Sequence, residues 1–371
     1  MTVAIYSSTS RTKGVKYAGS KLRLLPHILK LVRQTGAETV LDGFSGTTRV
    51  SQALAADGVR VTANDTSDLS RVFAECFLTA KPREGRYAKL IESLNRLPGK
   101  DGWFSEHYGG DPASPESIGP DGLKKPFQLH NTRRLDAIRD EIDRLSLSRC
   151  ERSVALTSLV LALDKVDNTI GHFASYLREW SPRSYGDLRL EVPRFTRTID
   201  GHEVLQEDAA DAAERTPADL AYFDPPYGSN NAKMPPSRVR YGAYYHFWKT
   251  VILNDRPELF GKAKRRKDSA DDANYSPYED FRFAPDGEFV AVNALRDLLS
   301  KTSSRFVLLS YSSGGRATRR SLEAVMRGCG DIVAAVEVDL RRNVMAEMSW
   351  TKEWTREGGA PNREYLFLLA R

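Results

Sequence analysis

Thr39-Val40-Leu41-Asp42-Gly43-Phe44-Ser45-Gly46-Thr47-Thr48 is the stretch that decides the fold class of this 371-residue chain. Its apolar start is short and runs into an acid, the pattern of a buried strand entering a turn. Gly43 and Gly46 permit that turn to be tight and let a ligand approach the backbone closely. A helix is predicted over roughly Thr47 to Ala56, stopped by Asp57-Gly58. A second strand, Val59 to Ala63, ends at Asn64-Asp65, about twenty residues past the glycine turn, where doubly wound sheets place the carboxylate that takes a nucleoside's ribose hydroxyls. Strand, glycine turn, helix, strand and acid together open a doubly wound, Rossmann-like mixed α/β sheet. The G-x-x-G spacing departs from the G-x-G-x-x-G of dinucleotide sites, which disfavours NAD and favours a cofactor without a pyrophosphate. A turn with a purely structural purpose would use the same residues.

Working outward, Leu22, Leu25, Ile28, Leu29 and Val32 recur at helical spacing, so Ser20 to Val32 reads as an amphipathic helix. Lys16-Tyr17-Ala18-Gly19-Ser20-Lys21 precedes it. Gly19 and Ser20 would present backbone N–H groups at a helix start, an anion site for a ligand carboxylate with Lys21 near; Ser20 as an ordinary N-cap is the alternative. Downstream, Ser67 to Thr198 changes character. Helices are predicted at Leu69–Thr79, Tyr87–Leu94, Thr132–Leu145 and Arg152–Asp164, and the Gly/Pro-rich Gly99 to Pro126 reads as a surface loop. This section is expected to be an inserted, mostly helical domain, 67–202, splitting a catalytic domain of 1–66 and 203–371. Sheet character returns at Glu203–Gln206 and Leu220–Phe223. The polar segment 228–283 follows, then strands at Arg305–Ser310, Ile332–Val338 and Tyr365–Leu369, with a helix near Arg319–Met326.

Leu220–Phe223 runs directly into Asp224-Pro225-Pro226-Tyr227. An aromatic exocyclic amino group is a poor nucleophile, because its lone pair is conjugated into the ring. Two acceptors that take its N–H hydrogens pull the nitrogen toward tetrahedral geometry and free the lone pair. The Asp224 carboxylate and the Pro225 carbonyl are such a pair. The prolines stiffen the loop, so the acceptors are preorganised. Tyr227 offers a flat face for a flipped-out base. Direct transfer of a group to that nitrogen needs no covalent enzyme intermediate and no metal. A proline-stiffened turn is the plain alternative, but ligands of open α/β sheets bind at this carboxyl end.

Composition sets the outer bounds. Hydrophobic residues make up 40% and charged residues 28%, an ordinary globular balance. The net charge of +6 favours polyanionic partners. The apolar run Val154 to Leu163 is too short to span a bilayer, and Met1 to Gly14 lacks the apolar core of a signal peptide, so a cytoplasmic, nucleoid-associated location is expected. Cys76, Cys150 and Cys329 are scattered, with no zinc spacing, and read as reduced core thiols.

The four signals, Lys16 to Lys21, Phe44-Ser45-Gly46, Asn64-Asp65 and Asp224 to Tyr227, come in the order of the Dam-type DNA adenine methylases, the class alpha amino-methyltransferases. The closing Asn362-Arg363-Glu364-Tyr365-Leu366-Phe367-Leu368-Leu369 resembles that family's last strand. The resemblance covers roughly 14–79 and 203–371. It implies methyl transfer from S-adenosylmethionine to the N6 amino group of a flipped-out adenine in DNA. It further implies that Tyr17, Gly19, Lys21, Asp42, Phe44, Ser45, Gly46, Asp65 and, by a looser match, Asp208 hold the cofactor together with Asp224. Asp224 to Tyr227 would be catalytic, and the middle section would read the target. Two positions depart from the pattern: Thr48 and Ser20 stand where the family usually has glycine.

Segment 228–283 is expected to be a DNA-contacting loop segment within the catalytic domain. Weaker DNA-contact candidates are Lys264, Arg265, Arg266 and Lys267, in a basic run that is more often a solvated loop, and Asn168 and His172 in a polar loop. Tyr241, Tyr244, Tyr245, Phe247 and Trp248 read as core and pocket wall. Methylation of RNA adenine or cytosine N4, a non-catalytic DNA-binding role and an NAD-dependent oxidoreductase are the competing functions. The recognition sequence, a cognate restriction endonuclease and the oligomeric state stay open.

Overall fold

A computed structural model describes residues 12–16, 19–81, 85–195, 199–228, 241–270, 273, 275–280, 282–340 and 362–371. Its centre is a seven-stranded sheet of β1 (Thr39–Asp42), β2 (Arg60–Asn64), β3 (Glu203–Leu205), β4 (Leu220–Phe223), β5 (Phe306–Ser312), β6 (Asp331–Leu340) and β7 (Asn362–Ala370). The strand order is β6-β7-β5-β4-β1-β2-β3. Strands β3, β2, β1, β4 and β5 pair in parallel, and β7 enters antiparallel between β5 and β6. The order reverses direction at the β1/β4 boundary, the point at which open α/β sheets leave a crevice.

Alternation along the strands sorts side chains to two faces. Val40, Val61, Leu220, Tyr222, Leu308, Leu366 and Leu368 pack beneath α1 (Leu25–Thr35) and α2 (Arg49–Ala56). Leu41, Ala221, Phe223, Val307, Leu309, Phe367 and Leu369 pack against α8 (Ala209–Arg215), α10 (Val290–Lys301) and α11 (Arg319–Arg327). A third core joins α3 (Asp68–Ala74), which continues as a π-helical turn to Thr79, with α4 (Arg86–Asn95), α5 (Trp103–Tyr108), α6 (Leu129–Arg144) and α7 (Arg149–Val166). Helix α9 (Tyr241–Leu253) belongs to the same core, with Phe247 and Trp248 buried in it.

Three local expectations are corrected. Gly99 to Pro126 is not all surface loop, because α5 folds within it and buries Phe104 and Tyr108. The cause is tertiary: Asp136 of α6 accepts the backbone N–H groups of Phe104 and Ser105 at 2.9 and 2.8 Å, capping a helix whose own sequence is too short to be stable. Segment 228–283 contributes α9 and its aromatics to the helical core, while 229–240, 271–272, 274 and 281 lie outside the described residues. Helix α10, carried by Val292, Leu295, Leu298 and Leu299 on the sheet, went unmarked in the periodicity.

The first helix also starts later than its pattern suggests. Pro26 occupies the first turn of α1, where its missing N–H costs nothing, and Lys21–Arg23 form a separate 3₁₀ turn. The Ser20 side chain makes no cap hydrogen bond, so it is not an N-cap in the usual sense.

Candidate active site

Strands β1 and β4 lie side by side with Asp42 opposite Tyr222, so both deliver an acid to the same sheet edge: Asp42 at the end of β1 and Asp224 just after β4. The turn after β1 is held from two sides. The Gly43 N–H donates to the Tyr222 carbonyl at 3.0 Å and the Ser45 N–H to the Asn64 carbonyl at 2.9 Å. Gly43 is required by space: a Cβ there would sit 2.7 Å from the Phe223 ring. Asn64, fully buried, donates from its amide to the Gly43 and Glu207 carbonyls and accepts the Glu207 N–H, each at 3.2 Å. One side chain thus ties the β1 turn to the segment after β3.

Asp65 accepts the Gly46 N–H at 2.8 Å and the Ser67 N–H at 2.9 Å. Burial pushes its carboxyl up, and these hydrogen bonds oppose the shift. Asp208 caps α8, accepting the Ala210 N–H at 2.8 Å. Phe44 meets Phe223 and Tyr278 edge-on at 6.4 and 5.2 Å. Asp42 accepts the Ser51 hydroxyl at 2.5 Å, and its other oxygen is buried without a hydrogen-bond partner among the described residues. Burial first, then the neighbouring Asp224 and Asp65 charges, push its carboxyl up to about 7 against the opposing Ser51 bond.

Thr48, at the helix start, holds φ +60° and ψ +16°, a left-handed conformation that costs a β-branched residue. Its hydroxyl accepts the Gln52 side-chain amide at 2.9 Å. Gln52 in turn pairs with the Lys13 backbone through two bonds of 2.8 Å, strapping the N-terminal segment over α2.

That segment leads to Gly19, at φ +81°, where a Cβ would lie 2.8 Å from the Tyr241 hydroxyl. Lys21 follows, 5% exposed, with Nζ 2.8 Å from Asp224 Oδ1 and 3.9 Å from Glu364 Oε1. The ammonium also lies 5.2 Å from the centre of the Tyr227 ring. Burial alone would lower the Lys21 ammonium, but the Asp224 and Glu364 charges outweigh it and hold Lys21 charged. Burial pushes the Asp224 carboxyl up to about 6, with Lys21 opposing and Glu364 adding to the rise. The Tyr227 hydroxyl donates to Glu364 at 3.3 Å, and its ring packs 5.5 Å from Tyr311.

Gly19, Lys21, Asp42, Phe44, Ser45, Gly46, Asp65, Asp208, Asp224 and Pro226 therefore surround one cleft of about 320 Å³. Tyr241, Tyr245 and Tyr278 complete its wall. Pro225 is buried and, like Tyr227, is not among the residues lining the cleft, and Tyr17 lies outside the described residues. Residues 17–278 match the D12 class N6 adenine-specific DNA methyltransferases. The chain belongs to this family.

Among its relatives, the StsI modification methylase of Streptococcus sanguinis is 27% identical over 91% of this chain and 50% of its own length. The type II methyltransferase M.FokI of Planomicrobium okeanokoites is 26% identical over 85% of this chain and 47% of its own length. M.NlaIII of Neisseria lactamica, also a type II methyltransferase, is 25% identical, with 81% and 84% covered. The chain thus spans about half the length of the StsI and FokI proteins.

Of the DNA-contact candidates, Arg266 also lines this cleft, and the candidates are largely occupied within the fold. Arg266 is 3% exposed and grips Asp255 with two bonds of 2.7 Å, with Asp268 alongside, so this arginine is structural. It closes a two-stranded hairpin of Leu259–Phe260 and Arg265–Arg266. Lys264 approaches Asp121 at 3.6 Å, Arg265 lies over the Phe260 ring, and Lys267 pairs with Glu258 at 2.9 Å. Asn168 is fully buried, accepting the Ser181 N–H and donating to the Leu177 and Glu179 carbonyls. His172 stacks on Tyr244 at 4.5 Å, and burial lowers its imidazole to about 4, leaving it neutral. Asn168 and His172 therefore shape their loop from inside rather than offer it a free polar surface.

Glu364 was missed. It stood in the quoted last strand, but its place as an acid in the buried row with Leu366 and Leu368 was the available signal.

No helix among the described residues is long and apolar enough to cross a membrane.

Proposed function

We propose that the chain methylates the N6 amino group of adenine in duplex DNA, using S-adenosylmethionine. The observation that carries this reading is the placement of Asp224, on a proline-stiffened loop at the switch point, against the cleft formed by the β1 turn and Asp65. The cofactor fits what is present. The cleft has the size of a small-molecule site. Asp65 is aimed by two backbone amides for ribose hydroxyls, and Asp42 keeps a buried oxygen without a hydrogen-bond partner among the described residues. When bound, the sulfonium supplies an electrophilic methyl group with a neutral leaving group.

The chain's own residues do the rest. Asp224, ionised, accepts one amino N–H, and the Pro225 carbonyl accepts the other. Both localise the nitrogen lone pair as the attack develops, and Asp224 is the acceptor for the proton the amino group sheds. Lys21 keeps Asp224 ionised in a buried place. Tyr227 offers its ring to the flipped base. The helices of 67–202 are proposed as the target reader, with a modification role like that named for the StsI protein; a partner endonuclease is an open part of that role.

Transfer of label from S-adenosylmethionine to unmethylated DNA, followed by nucleoside analysis, tests this. N6-methyladenine in a fixed sequence context, lost in Asp224→Ala, is the expected result. Label only in RNA, in cytosine or in protein would move the substrate, and an active Asp224→Ala would overturn the catalytic assignment.

A further inference from the structure

Strand β7 runs antiparallel to its neighbours, so its first residues arrive at the edge where β1 and β4 end. Glu364 sits there at 3% exposure. Oε1 accepts the Tyr227 hydroxyl at 3.3 Å and lies 3.9 Å from Lys21 Nζ. Oε2 is buried with no hydrogen-bond partner among the described residues. An acid in such a place is expensive, and the leucines that follow it on the same face show that an apolar side chain suits the strand. The family match ends at residue 278, well before it.

We propose that Glu364 is a positioning residue for methyl transfer: it fixes the Tyr227 hydroxyl and shares Lys21 with Asp224, receiving the ammonium when the target amino group engages Asp224. The proposal rests on the methyl-transfer reading. Lys21 sits 2.8 Å from the Asp224 oxygen that an amino N–H would need. A small movement of a flexible lysine toward Glu364 frees that oxygen without removing the cation from the cluster. Tyr227, bonded to the same carboxylate, stays oriented while this happens.

The charge balance around the pair is explicit. Lys21 is the cation, and Asp42 on β1 is the further acid. Tyr222 on β4, Tyr227 on its loop, Tyr241 on α9 and Tyr311 on β5 are held neutral by burial. The Glu364 charge opposes ionisation of Asp224, and the Lys21 charge between them favours it.

The test compares wild type, Glu364→Gln and Glu364→Asp on duplex DNA with saturating labelled S-adenosylmethionine, from about pH 5 to pH 9. Glu364→Gln keeps size and hydrogen bonding but removes the charge. Its kcat should fall on the order of 10- to 100-fold, as expected for lost positioning, with KM within about twofold. The acid limb of the profile should move to lower pH, because Asp224 loses a neighbouring negative charge. Glu364→Asp should recover part of kcat. Independently of turnover, the Asp224 carboxyl resonance, assigned with Asp224→Asn in carbon-13-labelled protein, should titrate at lower pH in Glu364→Gln. Unchanged kcat and acid limb in a variant with wild-type melting would overturn the proposal. If wild type methylates no nucleic acid, the methyl-transfer reading fails by itself; an unmoved Asp224 titration would then sink the role of Glu364 separately.

Discussion

Replacing Lys21 with methionine removes from a buried cluster the cation that, among the described residues, pairs with Asp224 and Glu364. At 2.8 Å and an effective dielectric near 20, Coulomb's law gives about 6 kcal/mol for the Lys21–Asp224 attraction. Divided by 1.36 kcal/mol per unit, this is roughly four pH units. Water entering the vacated space screens much of it, and if only a quarter survives the shift is still about one unit. The sign follows from the causes. Lys21 opposes the rise that burial imposes on Asp224, which stands at about 6 with the lysine present. Without it the carboxyl rises further, less of it is ionised at a given pH, and the acid limb of the rate profile moves up. Stability moves in the matching direction. A carboxyl whose folded pKa lies above its unfolded value stabilises the fold below the unfolded value, and this contribution is lost as pH rises through the folded one. Lys21→Met should therefore lose stability more steeply with rising pH than wild type does. Initial rates with saturating cofactor, across about pH 5 to 9.5, and urea melts at the two ends of that range decide the matter. An acid limb at or below the wild-type position would refute the claim that Lys21 keeps Asp224 charged. Movement opposite to that expected for Glu364→Gln would show that the two neighbours act on Asp224 with opposite sign.

Other substitutions probe the frame around the cleft. At Thr48, glycine should be more stable than alanine by about 1 kcal/mol, because both lose the hydroxyl but only glycine is relaxed at positive φ; alanine equal or better in urea melts would remove the strain argument. Gly43→Ala should cost about 1–3 kcal/mol in the same assay, since its Cβ meets the Phe223 ring, and should weaken cofactor binding in calorimetry. Asn64→Ala leaves three backbone groups unpaired, one on buried Gly43 and two on half-buried Glu207, and should cost about 2–3 kcal/mol; a loss under half of that would mean the tie between the β1 turn and the Glu207 segment is not taut. Arg266→Ala should lower stability by about 2 kcal/mol through its lost Asp255 and Asp268 bonds while leaving the salt dependence of DNA binding unchanged; a slope reduced by about 1 would instead make it a phosphate contact.

Some of this was legible in one dimension because the information is local. The glycine turn, the acid at the end of the second strand and the Asp-Pro-Pro-Tyr loop each sit where a strand stops, and these strand ends show where a short apolar run meets an acidic or polar residue. Helices α4 and α6 of the middle section were legible for the same reason, as amphipathic runs, and α7 as a long apolar run. Short or tertiary-dependent elements were not. Helix α5 exists because Asp136, far along the chain, caps it. Helix α9 reads as a polar segment with aromatics until its partners in the helical core are known. The basic run illustrates the opposite error: a charge count cannot tell a free arginine from one already paired, and Arg266 is paired.

What the sequence by itself determined is the sheet with its crevice at one edge and the identity of the acids delivered there, since strand period, turn glycines and neighbouring residues are properties of contiguous chain. What only the tertiary structure decided is how those acids are charged. Asp224 and Glu364 lie more than 200 and more than 300 residues after Lys21 in the chain, yet both come within 4 Å of its ammonium because β7 enters antiparallel beside β5. Burial and neighbouring charge, which set whether each carboxyl holds a proton, are properties of that meeting and of no segment alone.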